Sequence, residues 1–442
     1  MKRITTILIC GFLAALVLPT SGEAGELTIR GKDQAAKVER PYRKPQVSRR
    51  NLLGLDYTGK YGLPKQALSA DNPKVIRILA IKAEFLEENP DDPQTTGNGR
   101  FDLRTTAEFE AQEGNPIDPA PHNNDYFLAH LKSLAAYYDV VSNGRLRLEY
   151  EIFPKQADSA YQLNQSMAHY GLQAPAYGLG EFVHDAITAA DADPGVKFFN
   201  ESTGQPNYDC YMIFHPGSDQ QNNLPNFGQP TPGDLFTGYV ALGGPIPVDN
   251  GEMNVTDAII MPETVSQDGR VTALNAVMGH EFCHQLGAVD LYDTRTFNTC
   301  VGDFSLMDDN GFGVNIDFGL NPPVLVQGVM PVFPDAWHRA YLGFVDVTVV
   351  KNSPLVQIDD AEKLAETNPQ VVMVPINENE YYLLENRRTD IDGDGITNLQ
   401  ADSNTGVILW PRSGVAGDTT DNREYDYLIP GSGMVIWHVD EL

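Results

Sequence analysis

The stretch Gly279-His280-Glu281-Phe282-Cys283-His284-Gln285-Leu286-Gly287-Ala288-Val289-Asp290 gathers residues that ligate metals and move protons. Leu274, Val277 and Met278 just upstream carry helical apolar spacing, so His280 and His284 fall one turn apart on a single helix face. From there both imidazoles can reach one zinc ion at about 2.0–2.1 Å. Glu281 then projects beside the metal, placed to take a proton from metal-activated water without ligating. Gly287 permits a left-handed turn that ends the helix. The turn swings Asp290 back as a third protein ligand. Three ligands and one open position describe a catalytic rather than a structural zinc site. The plain alternative is a helix with two solvent-facing histidines, which needs neither the glycine stop nor the carboxylate.

A second metal signal is Asp390-Ile391-Asp392-Gly393-Asp394-Gly395-Ile396-Thr397-Asn398. Asp390, Asp392, Asp394 and Asn398 place oxygens at loop positions one, three, five and nine, with glycine at six, as a calcium loop requires. Position twelve, ordinarily acidic, is Ala401, with Asp402 one residue late, and a solvated acidic hairpin is the competing reading. The remaining histidines (122, 130, 169, 184, 215, 338 and 438) have no partner at ligand spacing and read as ordinary hydrogen-bonding residues.

These sites need a scaffold. Lys74 opens a buried strand, Asp125–Val141 has amphipathic helical spacing, and Arg145–Phe153 alternates as a strand after the Asn143-Gly144 turn. Gly180–Ala192 reads as a further helix, and Asp209–Phe214 and Ala258–Met261 as short strands. This alternation predicts an α/β (α+β) region. Beyond Phe344 the strands Val345–Val350, Val371–Val374, Tyr381–Glu385, Val407–Trp410 and Met434–Val439 predict a β-rich C-terminal domain.

From about Lys74 to Leu442 the sequence resembles the secreted metalloproteases of the immune inhibitor A type, relatives of the metzincins. The resemblance rests on the zinc motif with Leu291-Tyr292-Asp293, and on Phe304-Ser305-Leu306-Met307, similar to that family's methionine turn. Ala135–Tyr138 before Ser142-Asn143-Gly144, Tyr208-Asp209 leading to His215, Ala336–Arg339 with Leu342-Gly343, Tyr381–Arg387 and Pro430–Asp440 add to it. It implies a zincin/metzincin-like catalytic domain in which His280, His284 and Asp290 hold zinc, Glu281 is the general base and Met307 lies beneath the metal. Without the resemblance, Met307 is as easily a core methionine. Cys283 stands where the family usually has a small residue such as glycine. It reads as a buried small hydrophobe, a disulfide partner of Cys300 or a thiol close to zinc. No tyrosine sits two residues after Met307, as in some metzincins, so the oxyanion stabiliser is unassigned, with Tyr292 one candidate.

The 442 residues carry a formal charge of −29 and 42% hydrophobic residues. Such acidity argues against nucleic acid as a partner and suits calcium. Lys2-Arg3, the apolar run Ile4–Leu18 and the small residues up to Ala24 read as a cleaved signal peptide over 1–24, hence secretion without a stable membrane anchor. Residues 25–65 hold ten basic against four acidic residues, so 25–70 is read as a basic pro-segment docked on the acidic body as an intramolecular inhibitor, with Arg49-Arg50 a candidate cleavage site. No cysteine lies between residues 25 and 209, so any block of the metal by this segment would use a carboxylate such as Asp33 or Asp56, or steric cover. Residues 71–344 form the expected catalytic domain and 345–442 the C-terminal one. The sum is a secreted zinc endopeptidase acting on protein or peptide substrates. The alternative is a catalytically silent, calcium-dependent binding or adhesion protein on the same fold, against which the intact Glu281 speaks.

Overall fold

The computed structural model describes residues 7–10 and 50–441, apart from 115–116, 224–227, 295–297, 309–325, 353–354, 364–367, 394, 396 and 414–422. The expected first strand forms as Lys74–Glu84. Ile76, Ile78 and Ala80 enter one core, while Leu79, Ile81 and Ala83 enter another. Successive side chains of a strand point to opposite faces, so a strand covered on both sides must be apolar throughout. That strand lies second in a sheet ordered Leu146–Phe153, Lys74–Glu84, Cys210–His215, Met253–Pro262, Gly238–Val248. The first four run parallel and the last is antiparallel to its neighbour.

Helices cover both faces of the sheet. Pro175–Asp191 buries Phe182, Val183, Ala186, Ile187 and Ala190, a three-and-four spacing that makes one apolar stripe. On the opposite face Asn124–Val141 buries Phe127, Leu131, Leu134, Tyr138 and Val141. Asn123 caps that helix by accepting from the Asp125 and Tyr126 amides. The helix Asn275–Leu286, which carries the histidines, packs beside it, and the Tyr138 hydroxyl donates to the Gly279 carbonyl at 2.6 Å.

The C-terminal region is β-rich, as expected. Gly433–Asp440 pairs with Glu380–Arg387, which is followed by Val371–Pro375 and Val347–Val349. Its inner face packs Tyr381, Leu383, Val435 and Trp437 on Ala336 and Ala340 of the helix Ala336–Tyr341. Under it, the fully buried Arg387 and Arg339 are compensated by Asp426 and Glu385. Buried charges persist only when paired in this way. No helix among the described residues is long and apolar enough to cross a membrane.

Four features differ from the sequence-based expectation. The boundary at 345 does not divide two cores: Val407, Ile408, Leu409 and Tyr425 share a cluster with Ile76 and Phe127. The hairpin of Thr397–Ala401 and Ile408–Ser413 lies against the helix Asn124–Val141, with the Ser133 hydroxyl donating to the Leu409 carbonyl at 2.7 Å. The end of the expected pro-segment is built into the body, because Leu53, Leu55 and Leu63 are buried and Arg50 pairs with buried Asp257 at 2.5 Å. Ile7–Cys10, assigned to a signal peptide outside the fold, lies as a parallel edge strand beside Gly433–Asp440. An apolar β-prone tetrapeptide and an open sheet edge are enough to pair.

Candidate metal centre

Helix Asn275–Leu286 presents His280 and His284 one turn apart, and Gly287 (φ 108°) ends it in the left-handed region. The Ala288 amide then bonds back to the Cys283 carbonyl at 3.0 Å, which reverses the chain and returns Asp290 to the histidines. The Nε2 atoms of the two imidazoles are 3.1 Å apart, and Asp290 Oδ1 is 3.2 Å from that of His280 and 3.1 Å from that of His284. These three edges are close to the about 3.3–3.4 Å edges of a tetrahedron built on zinc bonds of 2.0–2.1 Å. Backbone carbonyls set the tautomers. His280 Nδ1 donates to the Leu306 carbonyl at 3.0 Å and His284 Nδ1 to that of Ala288 at 2.9 Å. Both Nε2 lone pairs are thereby turned on the same point as Asp290 Oδ1, a buried oxygen that has no hydrogen bond of its own. Three electron-pair donors facing one another in a buried site form a group that could hold a cation. The donor set, two nitrogens and one carboxylate oxygen, fits zinc.

The same need for positive charge appears in the proton affinities. Burial alone would lower the His280 value, but Asp290 and Glu281 raise it to about 9. Burial likewise opposes ionisation of Asp290, yet His280 and His284 hold its carboxyl well below the usual range.

The supports of this triad come from distant parts of the chain. The turn after Phe304 supplies the Leu306 carbonyl to His280, and its Met307 carbonyl accepts the Leu291 amide at 2.8 Å, next to Asp290. Met307 is fully buried in the core under the sheet. Asp335 accepts the Ser305 hydroxyl at 2.7 Å and pairs with His338 Nδ1 at 2.6 Å, while His338 Nε2 accepts the Val289 amide at 3.3 Å. At the start of the motif helix, Asp118 accepts the Leu274 amide at 2.9 Å and His130 bonds Asn275 at 2.9 Å.

Glu281 faces a cleft of about 480 Å³ whose wall also includes Asp219, Asn222, Phe236, Val265, Arg270, Val277, His280 and Tyr292. One Glu281 oxygen accepts the Tyr239 amide at 2.8 Å, from the antiparallel strand Gly238–Val248. The Tyr292 ring stacks near His280 with centroids 6.3 Å apart, and burial followed by the Asp290 and Glu281 charges pushes its phenol upward. Asp219 is buried in the same wall, which raises its carboxyl.

Cys210, Cys283 and Cys300 are all free thiols. The disulfide reading of Cys283 therefore falls: Cys283 is fully buried, its thiol pushed up to about 12 by burial, whereas Cys300 is exposed. Of the other histidines, 122, 130, 215 and 338 are buried and hydrogen-bonded. Two residues of the expected calcium loop meet a third carboxylate. Asp390 and Asp392 converge with Glu424, which sequence reasoning missed. Asp394 lies outside the described residues, and Asn398 is exposed on its strand with no hydrogen bond to either aspartate among the described residues. Burial, with Asp390 and Asp392 close by, pushes Glu424 up to about 7.

Glu424 carries no motif in Arg423-Glu424-Tyr425, and backbone acceptors such as Leu306 O leave no mark on residue type. Tyr239 lies in a strand whose glycines and prolines conceal it. No protein-family model matches this chain, and no curated protein matches it significantly.

Proposed function

We propose that this chain is an exported zinc-dependent endopeptidase with a metzincin-like catalytic region. The observation that carries the reading is the convergence of two tautomer-fixed imidazoles and an orphaned buried carboxylate oxygen beside a cleft that holds a further glutamate. Zinc held by His280, His284 and Asp290 supplies a Lewis acid that polarises a carbonyl and makes water ionise near neutral pH. Glu281 is fixed by the Tyr239 amide through one oxygen. It takes a proton from the attacking water as the C–O bond forms, and returns that proton to the amine as the C–N bond breaks. Tyr292, on the cleft wall beside His280, is the donor assigned to the charge developing on the carbonyl oxygen. The cleft mixes charged and apolar side chains, as a polypeptide substrate demands. The basic, apolar N-terminus supports export, since Ile7–Cys10 pairs at a sheet edge and cleavage after Ala24 would remove it whole, and the basic residues that follow it support an inhibitory leader on an acidic body.

Casein hydrolysis by the purified chain, run beside Glu281→Gln with zinc content measured in both, tests the reading. Wild type should cleave, and the variant should retain zinc while losing about a hundred- to ten-thousand-fold in kcat. Proteolysis that survives complete zinc removal overturns the assignment. Two inactive, zinc-loaded proteins would favour the binding-protein alternative.

A further inference from the structure

At the far end of the C-terminal sheet, three carboxylates from two separate segments meet. Asp390 and Asp392 lie in the turn after the strand Glu380–Arg387, and Glu424 opens the short helical turn Glu424–Asp426. One oxygen from each lies within 4.8 Å of the others. The turn is already tied down: Asp390 accepts the Gly393 amide at 2.8 Å and the Gly395 amide at 3.0 Å. Glu424 departs from what a solvated acidic surface would show. It is fully buried, its Oε1 accepts the Ile391 amide at 3.2 Å, and its Oε2 is a buried oxygen with no hydrogen-bond partner. Among the described residues, neither Asp390 nor Glu424 has an ion pair. The neighbouring Arg388 is engaged with the Asp360 carboxylate and the Asp390 backbone carbonyl. A buried carboxylate oxygen without a hydrogen-bond partner, on a side chain that meets two further carboxylates, is an arrangement that a cation resolves.

We infer that Asp390, Asp392 and Glu424 bind a structural calcium ion that clamps the turn carrying the two aspartates to the Glu424–Asp426 segment. The donors are all oxygen, with no imidazole or thiolate, which selects a hard cation over zinc. The cluster fits inside a calcium shell, about 5 Å across at bonds of 2.3–2.6 Å. The clamped segment bears on the rest of the molecule. Tyr425 stacks edge-on against Tyr137 with centroids 5.1 Å apart, and Asp426 accepts from Arg387 at 2.8 Å and from the Phe333 amide at 3.0 Å. Tyr137 and Tyr138 belong to the helix that braces the zinc helix at Gly279. The ion therefore fastens the C-terminal region behind the metal centre and takes no part in the reaction.

Terbium luminescence, sensitised by Tyr425 and Tyr427, reads this site without reference to zinc or proteolysis. It is measured on the full chain carrying His280→Ala and Asp290→Ala, so that the first centre keeps only one of its three donors. Saturable emission displaced by calcium is expected, with affinity at least tenfold weaker in Glu424→Gln. Asp392→Asn, at an exposed position, should weaken it several-fold and guards against misfolding of the buried variant. Absence of saturable emission, or equal affinity in the parent and both variants, overturns the site. Neither result bears on whether the first centre holds zinc.

Discussion

At the residue scale, the histidine pair was legible because its spacing is a property of one helix, and Asp290 because a glycine announces the turn that returns it. The groups that aim those side chains were not legible. Leu306 O and Ala288 O are backbone atoms, and Asp335 acts through a hydrogen-bond chain that no local pattern encodes. Asp335 is the sharpest place to test the support. It caps the helix Ala336–Tyr341 with one oxygen, and with the other it receives Ser305 and fixes His338 so that Nε2 can accept from Val289, adjacent to Asp290. In Asp335→Asn the capping oxygen survives, but the amide NH2 faces His338 Nδ1. The histidine proton is then driven to Nε2, opposite the Val289 N–H, so two donors meet. Zinc affinity should fall about 10–100-fold, the usual size of such outer-layer effects, as read by competition with a chromophoric chelator. Undiminished affinity would remove Asp335 from the support. Asp335 also predicts an acid response. Burial works against its ionisation, but His338 and Ser305 win and hold it at about 2 against an ordinary 3.8. A depressed carboxyl stabilises the fold above its unfolded value and loses that contribution as pH falls through its folded one. Wild type should therefore lose stability between pH 4 and 2 more steeply than Asp335→Asn, by denaturant unfolding.

At the element scale, the expected helices and core strands form, two of them beginning five residues before the expected start, because their burial imposes the periodicity that reveals them; the helices Thr106–Glu113, Met167–Gly171 and Ala336–Tyr341 were not foreseen. The strand Gly238–Val248 escaped. Its Gly243-Gly244-Pro245 interrupts the apolar pattern, and the sheet tolerates this only because the strand is last in order. Yet this element positions the proposed general base, through the Tyr239 amide. That N–H is directed at Glu281, away from Met253–Pro262, so losing it breaks no rung of the ladder. Tyr239→Pro should therefore leave zinc content intact while lowering kcat about tenfold or more, since the carboxylate is no longer held. A fall in zinc content equal to the fall in rate would show that the strand shapes the metal site and does not merely orient Glu281.

At the scale of the whole molecule, β-rich composition beyond residue 345 was read correctly, but composition says nothing about which core a strand joins. Val407–Leu409 and Tyr425 join the core of the central sheet. The leader poses the same problem from the other end. Its basic residues suggested a detachable segment to residue 70, whereas the Arg50 guanidinium reaches Asp257 at 2.5 Å and the Asp209 carbonyl at 3.0 Å. Asp257 is buried and also receives Gln285 Nε2 at 3.1 Å, from the helix that carries the histidines. Cutting beyond Arg50 would strand that carboxylate and expose Leu53, Leu55 and Leu63. Any activating cleavage is therefore expected no later than the bond after Arg49, and limited trypsin digestion followed by mass spectrometry should give a stable product beginning at or before Arg50. A stable, active product starting near residue 71 would contradict this. Arg50→Ala should cost about 1–3 kcal/mol, less than a wholly buried pair because Arg50 is 34% exposed, and Asp257→Asn in the same chain should recover part of it. Recovery is the decisive result: it would show that the loss comes from a carboxylate left without its cation, and hence that Arg50 belongs to the folded body.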